Sequence, residues 1–178
     1  MIQITPEAIL AFMQKSGYEA DIQPDTQQVY TILKIEKKEY PLFIRVFDDG
    51  HLLQLLAFIP CQLEANERFN LDNSSESSTE PSFSSSKVIA DVARLLHLLN
   101  KELDVPGFGM DEMAGVVFYR LMLPTPKKKM DADLILAFLK TIEHVCQMFA
   151  APIEAVSAGH ATLDEILEKA QEMDGSST

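Results

Sequence analysis

Residues 28–63 read QVYTILKIEKKEYPLFIRVFDDGHLLQLLAFIPCQL, three apolar runs separated by two polar breaks. Val29, Tyr30, Thr31, Ile32 and Ile35 are β-branched or aromatic, as are Tyr40, Phe43, Ile44, Val46 and Phe47. Such residues fit a pleated, half-buried surface. Lys37, Lys38 and Glu39 interrupt the first run with a polar turn, and Asp49-Gly50 interrupts the second. An Asp-Gly pair suits the positive φ angles of a two-residue type I′ hairpin. The pattern predicts three consecutive antiparallel strands over 28–36, 40–47 and 51–59.

Side chains alternate across a strand. Val29, Thr31, Leu33 and Ile35 therefore share one face with Leu42, Ile44 and Val46 and with Leu53, Leu55, Ala57 and Ile59. The opposite face carries Tyr30, Ile32, Lys34 and Glu36, then Phe43, Arg45 and Phe47, then Leu52, Gln54, Leu56 and Phe58. A sheet with one wetted side alternates cleanly between apolar and polar, and this second face is too apolar for that. Either more of this chain covers it or a partner does, since apolar patches mark interaction surfaces.

The flanking segments read as helices and a second strand pair. Thr5, Pro6 and Glu7 open a helix with a cap, a first-turn proline and a first-turn acid, and Gly17 stops it. Tyr18 to Ile22 is a short extended candidate before the Pro24-Asp25 turn. Val88, Ile89, Val92, Leu95, Leu96, Leu99 and Leu103 give an amphipathic helix over 87–103. Phe108 to Met110 and Val116 to Leu123 follow as strands, the second apolar on both faces apart from Arg120 and the Tyr119 hydroxyl. A helix begins near Asp131, with Leu134, Ile135, Phe138, Leu139, Ile142, Val145, Met148 and Phe149 on its buried face, and Pro152 is expected to break or kink it. Thr162-x-x-Glu165 has the form of a capping box before a short amphipathic helix, with a disordered tail after it.

The fold class is thus α+β: an antiparallel sheet of about five strands, a meander plus a pair. Its order is α-β-β-β-α-β-β-α, with an extra C-terminal helix. Residues 1–160 read as one domain, interrupted at 70–86 by a Ser-rich flexible insertion, and 161–178 as the added helix and tail. Asn73 to Ser86, NSSESSTEPSFSSS, has too little apolar area to offset the entropy of ordering it.

Composition narrows the role. A net charge of −12 disfavours nucleic-acid backbones, which need clustered Lys and Arg, and favours basic partners at long range. No apolar run approaches the roughly 20 residues of a membrane span, and MIQITPEAIL has neither basic leader nor cleavage site. The expected location is the cytoplasm. Cys61 and Cys146 sit among apolar neighbours and read as small buried hydrophobes in a reducing compartment. His51, His97, His144 and His160 are dispersed, and no metal, nucleophile or phosphate-loop motif is present. Asp48-Asp49-Gly50-His51 is the sharpest catalytic candidate, although a hairpin explains Asp49 and Gly50 by itself. Lys127 to Lys129 reads as a solvated connection. No cofactor, metal or catalytic set is expected.

FDDGHLLQLLAFIP at 47–60 and VARLLHLLNKELDVPGFGMDEMAGVVFYRLMLP at 92–124, with the helix after it, resemble the YbjN family. That family is similar in turn to the class I type III secretion chaperone fold. The resemblance covers 5–156 and implies helices on a curved antiparallel sheet, often dimeric. It also implies a sensory transduction regulator or chaperone binding an extended partner segment without catalysis. The Ser-rich insertion and the added helix depart from both patterns. The expected contact surface is Phe43, Phe47, Leu52, Leu56 and Phe58. The expected dimer seam runs through Leu95 and Leu99 or through Val117 and Tyr119. The alternative is a small-molecule binder or enzyme with a pocket between sheet and helices.

Overall fold

The computed structural model describes residues 1–63 and 83–175. Within them run β1 (Ile2–Gln3), α1 (Pro6–Lys15), β2 (Ala20–Ile22), β3 (Val29–Ile35), β4 (Lys38–Phe47), β5 (Leu52–Gln62), α2 (Phe83–Glu102), β6 (Phe108–Asp111), β7 (Val116–Pro124), β8 (Lys129–Met130), α3 (Ala132–Ser157) and α4 (Leu163–Gly175). The class is α+β. A six-stranded sheet has the order β2-β3-β4-β5-β7-β6, and β1 pairs with β8 in a two-stranded ribbon. The sheet exceeds the expected five strands because the short segment Ala20–Ile22 pairs with β3 along Val29–Thr31. Most of the Ser-rich stretch lies outside the described residues, as does the end of the tail. Phe83 to Ser86, expected within the insertion, form the first turn of α2.

The meander is present, but its turns differ from expectation. Ile35 pairs with Lys38, so the two-residue turn is Glu36-Lys37, with Glu36 at φ +56°. Phe47 pairs with Leu52. Asp48, Asp49 and Gly50 all take left-handed backbone in a four-residue connection, rather than Asp49-Gly50 alone in a type I′ turn. Tertiary packing fixes this longer loop. Gly50 has φ +90°, and a Cβ there would lie 2.7 Å from the Ile4 carbonyl oxygen, so only glycine fits. The buried Thr125 hydroxyl donates to the Gly50 carbonyl at 2.6 Å, and the Thr125 N–H donates to the His51 carbonyl at 2.9 Å.

Contacts divide the chain into two compact units, Met1–Pro60 with Phe118–Ala150 and Cys61–Val117 with Ala151–Thr178. In the first, α1 is capped by the Thr5 hydroxyl, which accepts from the Ala8 N–H, and it buries Ile9 and Met13. The core side of the sheet there buries Val29, Leu33, Leu42, Ile44, Leu53, Leu55, Ala57, Ile59, Tyr119 and Leu121. In the same unit α3 buries Ile135, Leu139, Ile142, Val145 and Cys146. Each fully buried aliphatic side chain stabilises by roughly 1.5–3 kcal/mol. The Tyr18 hydroxyl donates to Glu143 Oε1 at 2.9 Å, tying the segment after α1 to α3.

In the second unit α2 buries Val92, Leu95 and Leu96. The Asn100 side chain clamps the start of β6. Its Oδ1 accepts from the Gly107 and Phe108 N–H groups at 3.0 and 2.9 Å, and its Nδ2 donates to the Phe108 carbonyl. Gly115, at φ +64°, lies where a Cβ would collide with the Leu63 carbonyl. The capping box forms, with Glu165 accepting from the Thr162 N–H at 2.8 Å and Thr162 Oγ1 from the Glu165 N–H. These bonds hold the Glu165 carboxyl below its ordinary range.

The expected break at Pro152 does not occur, and α3 runs through it to Ser157. Proline removes one i→i−4 bond and crowds the preceding turn, yet the apolar stripe continues through the buried Ile153 and Val156. By length and composition α3 is also apolar enough to cross a membrane, with a mean hydropathy of 1.4. This differs from the expectation that no apolar run approaches a span, because Lys140, Glu143, His144 and Gln147 punctuate a segment otherwise rich in apolar residues. A core helix that buries a broad apolar stripe passes the same test.

Candidate functional site

The second face of the meander lies within the first unit. Phe43, Phe47, Leu52, Leu56 and Phe58 all stand on it and are all half-buried. Alternation along β4 and β5 dictates this, since their neighbours Leu42, Ile44, Leu53, Leu55 and Ala57 are fully buried on the core side. The strand order then adds what no single strand shows. Tyr30 meets Phe43 at 5.0 Å with the ring planes tilted by 44°, Phe43 meets Phe58 edge-on at 5.7 Å, and Phe58 meets Phe118 at 6.4 Å. One row of rings crosses four strands. Each such pair contributes about 0.5–1.5 kcal/mol beyond area burial, so the rings stabilise one another across the strands.

Its margins are polar but not solvent-like. Arg45 lies over the Phe47 ring with Cζ at 5.3 Å, and Arg120 over the Phe118 ring at 5.5 Å. Gln54, opposite Arg45 in register, directs Nε2 to the Met122 sulfur at 3.4 Å. Met122 itself is 45% exposed. At the β2 margin a cavity of about 460 Å³ is lined by Gln14, Tyr18, Asp21, Tyr30, Ile32 and Glu39, with the Lys34–Glu19 ion pair at its side. β2 pairs only with Val29–Thr31, so among the described residues 32–35 of β3 have no strand on that side.

The residues expected at a dimer seam are placed differently. Val117 and Tyr119 are fully buried, and Leu95 is 2% exposed. Odd-numbered positions of β7 point to the core side, so these side chains have no surface to offer a second copy; Leu99 is half-buried. On β7 the open positions are Phe118, Arg120 and Met122. Reading the strand alone gives two apolar faces and does not tell which one is covered.

The catalytic candidates do not assemble. Asp49 pairs with Lys128, which holds its carboxyl below the usual range, and His51 is exposed in the turn. Among the described residues no group of His, Cys, Asp and Glu is arranged to hold a metal ion. The groups whose pKa is raised are core or margin residues. Burial pushes Tyr119 and Cys146 up to about 12, and burial with the Glu143 bond does the same to Tyr18. Burial also raises the Cys61 thiol. A protonated, desolvated thiol is a poor nucleophile.

An antiparallel α+β fold with one closed and one open, aromatic sheet face is the class this geometry defines. Residues 77–155, from just before α2 to near the end of α3, match the family model YbjN, "Putative bacterial sensory transduction regulator". The resemblance of residues 92–124 and the helix after them to that family is therefore found by direct comparison. The match leaves the meander outside it. No curated protein matches the chain.

Proposed function

We propose that the chain is a non-catalytic regulatory module of the cytoplasm that binds a protein partner through the open sheet face. One observation carries this reading: a continuous aromatic row, Tyr30–Phe43–Phe58–Phe118, whose members are half-buried while the other face of the same strands is sealed. Interface cores are enriched in aromatic residues, Met and Arg, and Met122, Arg45 and Arg120 border the row. The description of the YbjN family as regulators supports the same reading. An extended partner segment would cross this face or add to the unpaired part of β3, as a secretion-chaperone client would.

The test is capture of partners from the native cell by the wild-type chain and by a Phe43→Ser/Phe58→Ser variant with a native circular dichroism spectrum. A partner held by the first and lost by the second is the expected result. Partners held equally by both would place binding elsewhere. A homodimer belongs to the same proposal, and light scattering at micromolar concentration giving a strict 19.9 kDa monomer removes it.

The cavity beside Tyr30 favours a second reading, a small-molecule site. A ligand screen by thermal shift on the wild type and on Tyr30→Ala separates the two. A hit that depends on Tyr30 supports this alternative.

A further inference from the structure

The part of the open face built from β4 after Pro41, β5 and β7 differs in charge from the rest of the molecule, while at the β3 end of the same face stands Glu39. The chain carries a net charge of −12. Yet the outward positions of β4 from Pro41 to Phe47, of β5 from Leu52 to Pro60 and of β7 from Phe118 to Pro124 hold no carboxylate. They hold two arginines, Arg45 and Arg120. Neither has an ion pair among the described residues, and each rests its guanidinium on a neighbouring ring. Stacking uses the flat side of the guanidinium and leaves its N–H edge free for a bidentate carboxylate. Lys34 and Lys128 of the same unit, by contrast, are paired, with Glu19 and Asp49.

From this placement we infer that the partner segment is acidic and apolar: Asp or Glu side chains bind Arg45 and Arg120 while apolar side chains pack on Phe43 and Phe58. The inference rests on the protein-binding reading above and adds the chemistry of the partner. The overall negative charge acts against an acidic segment only at long range and is screened beyond about 8 Å at physiological salt. At contact the two guanidiniums are the nearest charges to the segment and dominate, even at the effective dielectric of about 20 that suits pairs near a protein surface. A charge-assisted bidentate pair is the strongest polar contact this face offers. A basic segment would instead bury two like charges against it.

A random-peptide display library selected on the full chain tests this, in parallel with Arg45→Glu/Arg120→Glu and Phe43→Ser/Phe58→Ser variants. The wild type is expected to enrich peptides that combine apolar residues with Asp or Glu, and the charge-reversed variant to enrich Lys or Arg in their place. In the best wild-type peptide, replacing each contacting Glu by Gln should weaken binding by about tenfold. Enrichment of basic or uncharged peptides on the wild type, or the same peptides on the charge-reversed variant, overturns the inference. If such peptides are still lost on the Phe43→Ser/Phe58→Ser variant, the protein-binding reading stands and only the charge assignment fails. If the wild type enriches nothing beyond that variant, both fail. An oligothymidylate strand that competes with the selected peptides and binds more tightly overturns it in favour of a nucleic-acid partner.

Discussion

The two faces of the β3–β4–β5–β7 sheet come from the same strands and alternate residue by residue, yet they answer to different physics. The core face is aliphatic: Leu42, Ile44, Leu53, Leu55 and Ala57 are fully buried with interdigitating shapes. The open face is aromatic, held by ring-to-ring edges at 5.0–6.4 Å, with arginines at its borders. Aliphatic cores gain from close packing that excludes every neighbour except the right one. Aromatic rows with polar margins hold their shape with one side uncovered. The contrast shows which apolar surface serves the fold and which is available to something else.

The contrast can be broken at its strong end first. Leu55→Ala on the core face should destabilise by about 2–5 kcal/mol in urea unfolding, because it removes packed methylenes and leaves a cavity. Phe58→Ala on the open face should cost less, about 1–2 kcal/mol, mainly through its two ring contacts. If the Phe58 variant loses as much as the Leu55 variant, the open face is covered in solution.

A smaller effect distinguishes the covered side by pH. Tyr18 has a folded pKa near 12 against an ordinary 10.0. For a raised pKa the stabilisation is complete below pH 10.0 and is lost as pH rises from there through about 12. Ultraviolet titration should show Tyr18 and Tyr119 ionising late, and Tyr18→Phe should remove part of the alkaline loss of stability. A Tyr18 that ionises near pH 10.0 would mean that its bond to Glu143 is open in solution. The smallest perturbation is chemical. A thiol reagent should modify the half-buried Cys61 slowly and Cys146 only on unfolding, so Cys61→Ser abolishes native labelling. Labelling of Cys146 in the native state would show that the core side opens.

Much of this was legible in residue order. The faces of β4 and β5 follow from strict alternation, so residue order alone groups Phe43, Phe47, Leu52, Leu56 and Phe58. Thr5 and the Thr162–Glu165 pair announced their helix starts through local hydrogen bonds that need no distant partner. The turns were less legible. Asp49-Gly50 has the composition of a tight hairpin, but Ile4 and Thr125 meet Gly50 from far away in sequence and lengthen the loop. Val117 and Tyr119 could not be assigned to a face because both faces of β7 are apolar, and only its place beside β5 decides.

Periodicity and local capping suffice for most of the helices and strands, the alternation and the class of fold, but not for the β1–β8 ribbon or the run of α3 through Pro152. Sequence by itself also made the second face of the meander suspect. Tertiary structure alone brought Phe118 beside Phe58 and put Arg45 and Arg120 at the borders of one row of rings. Those neighbours lie some sixty residues apart in the chain, and no periodicity encodes a cross-strand contact. The order of strands in the sheet does, because it decides which side chains share the open face.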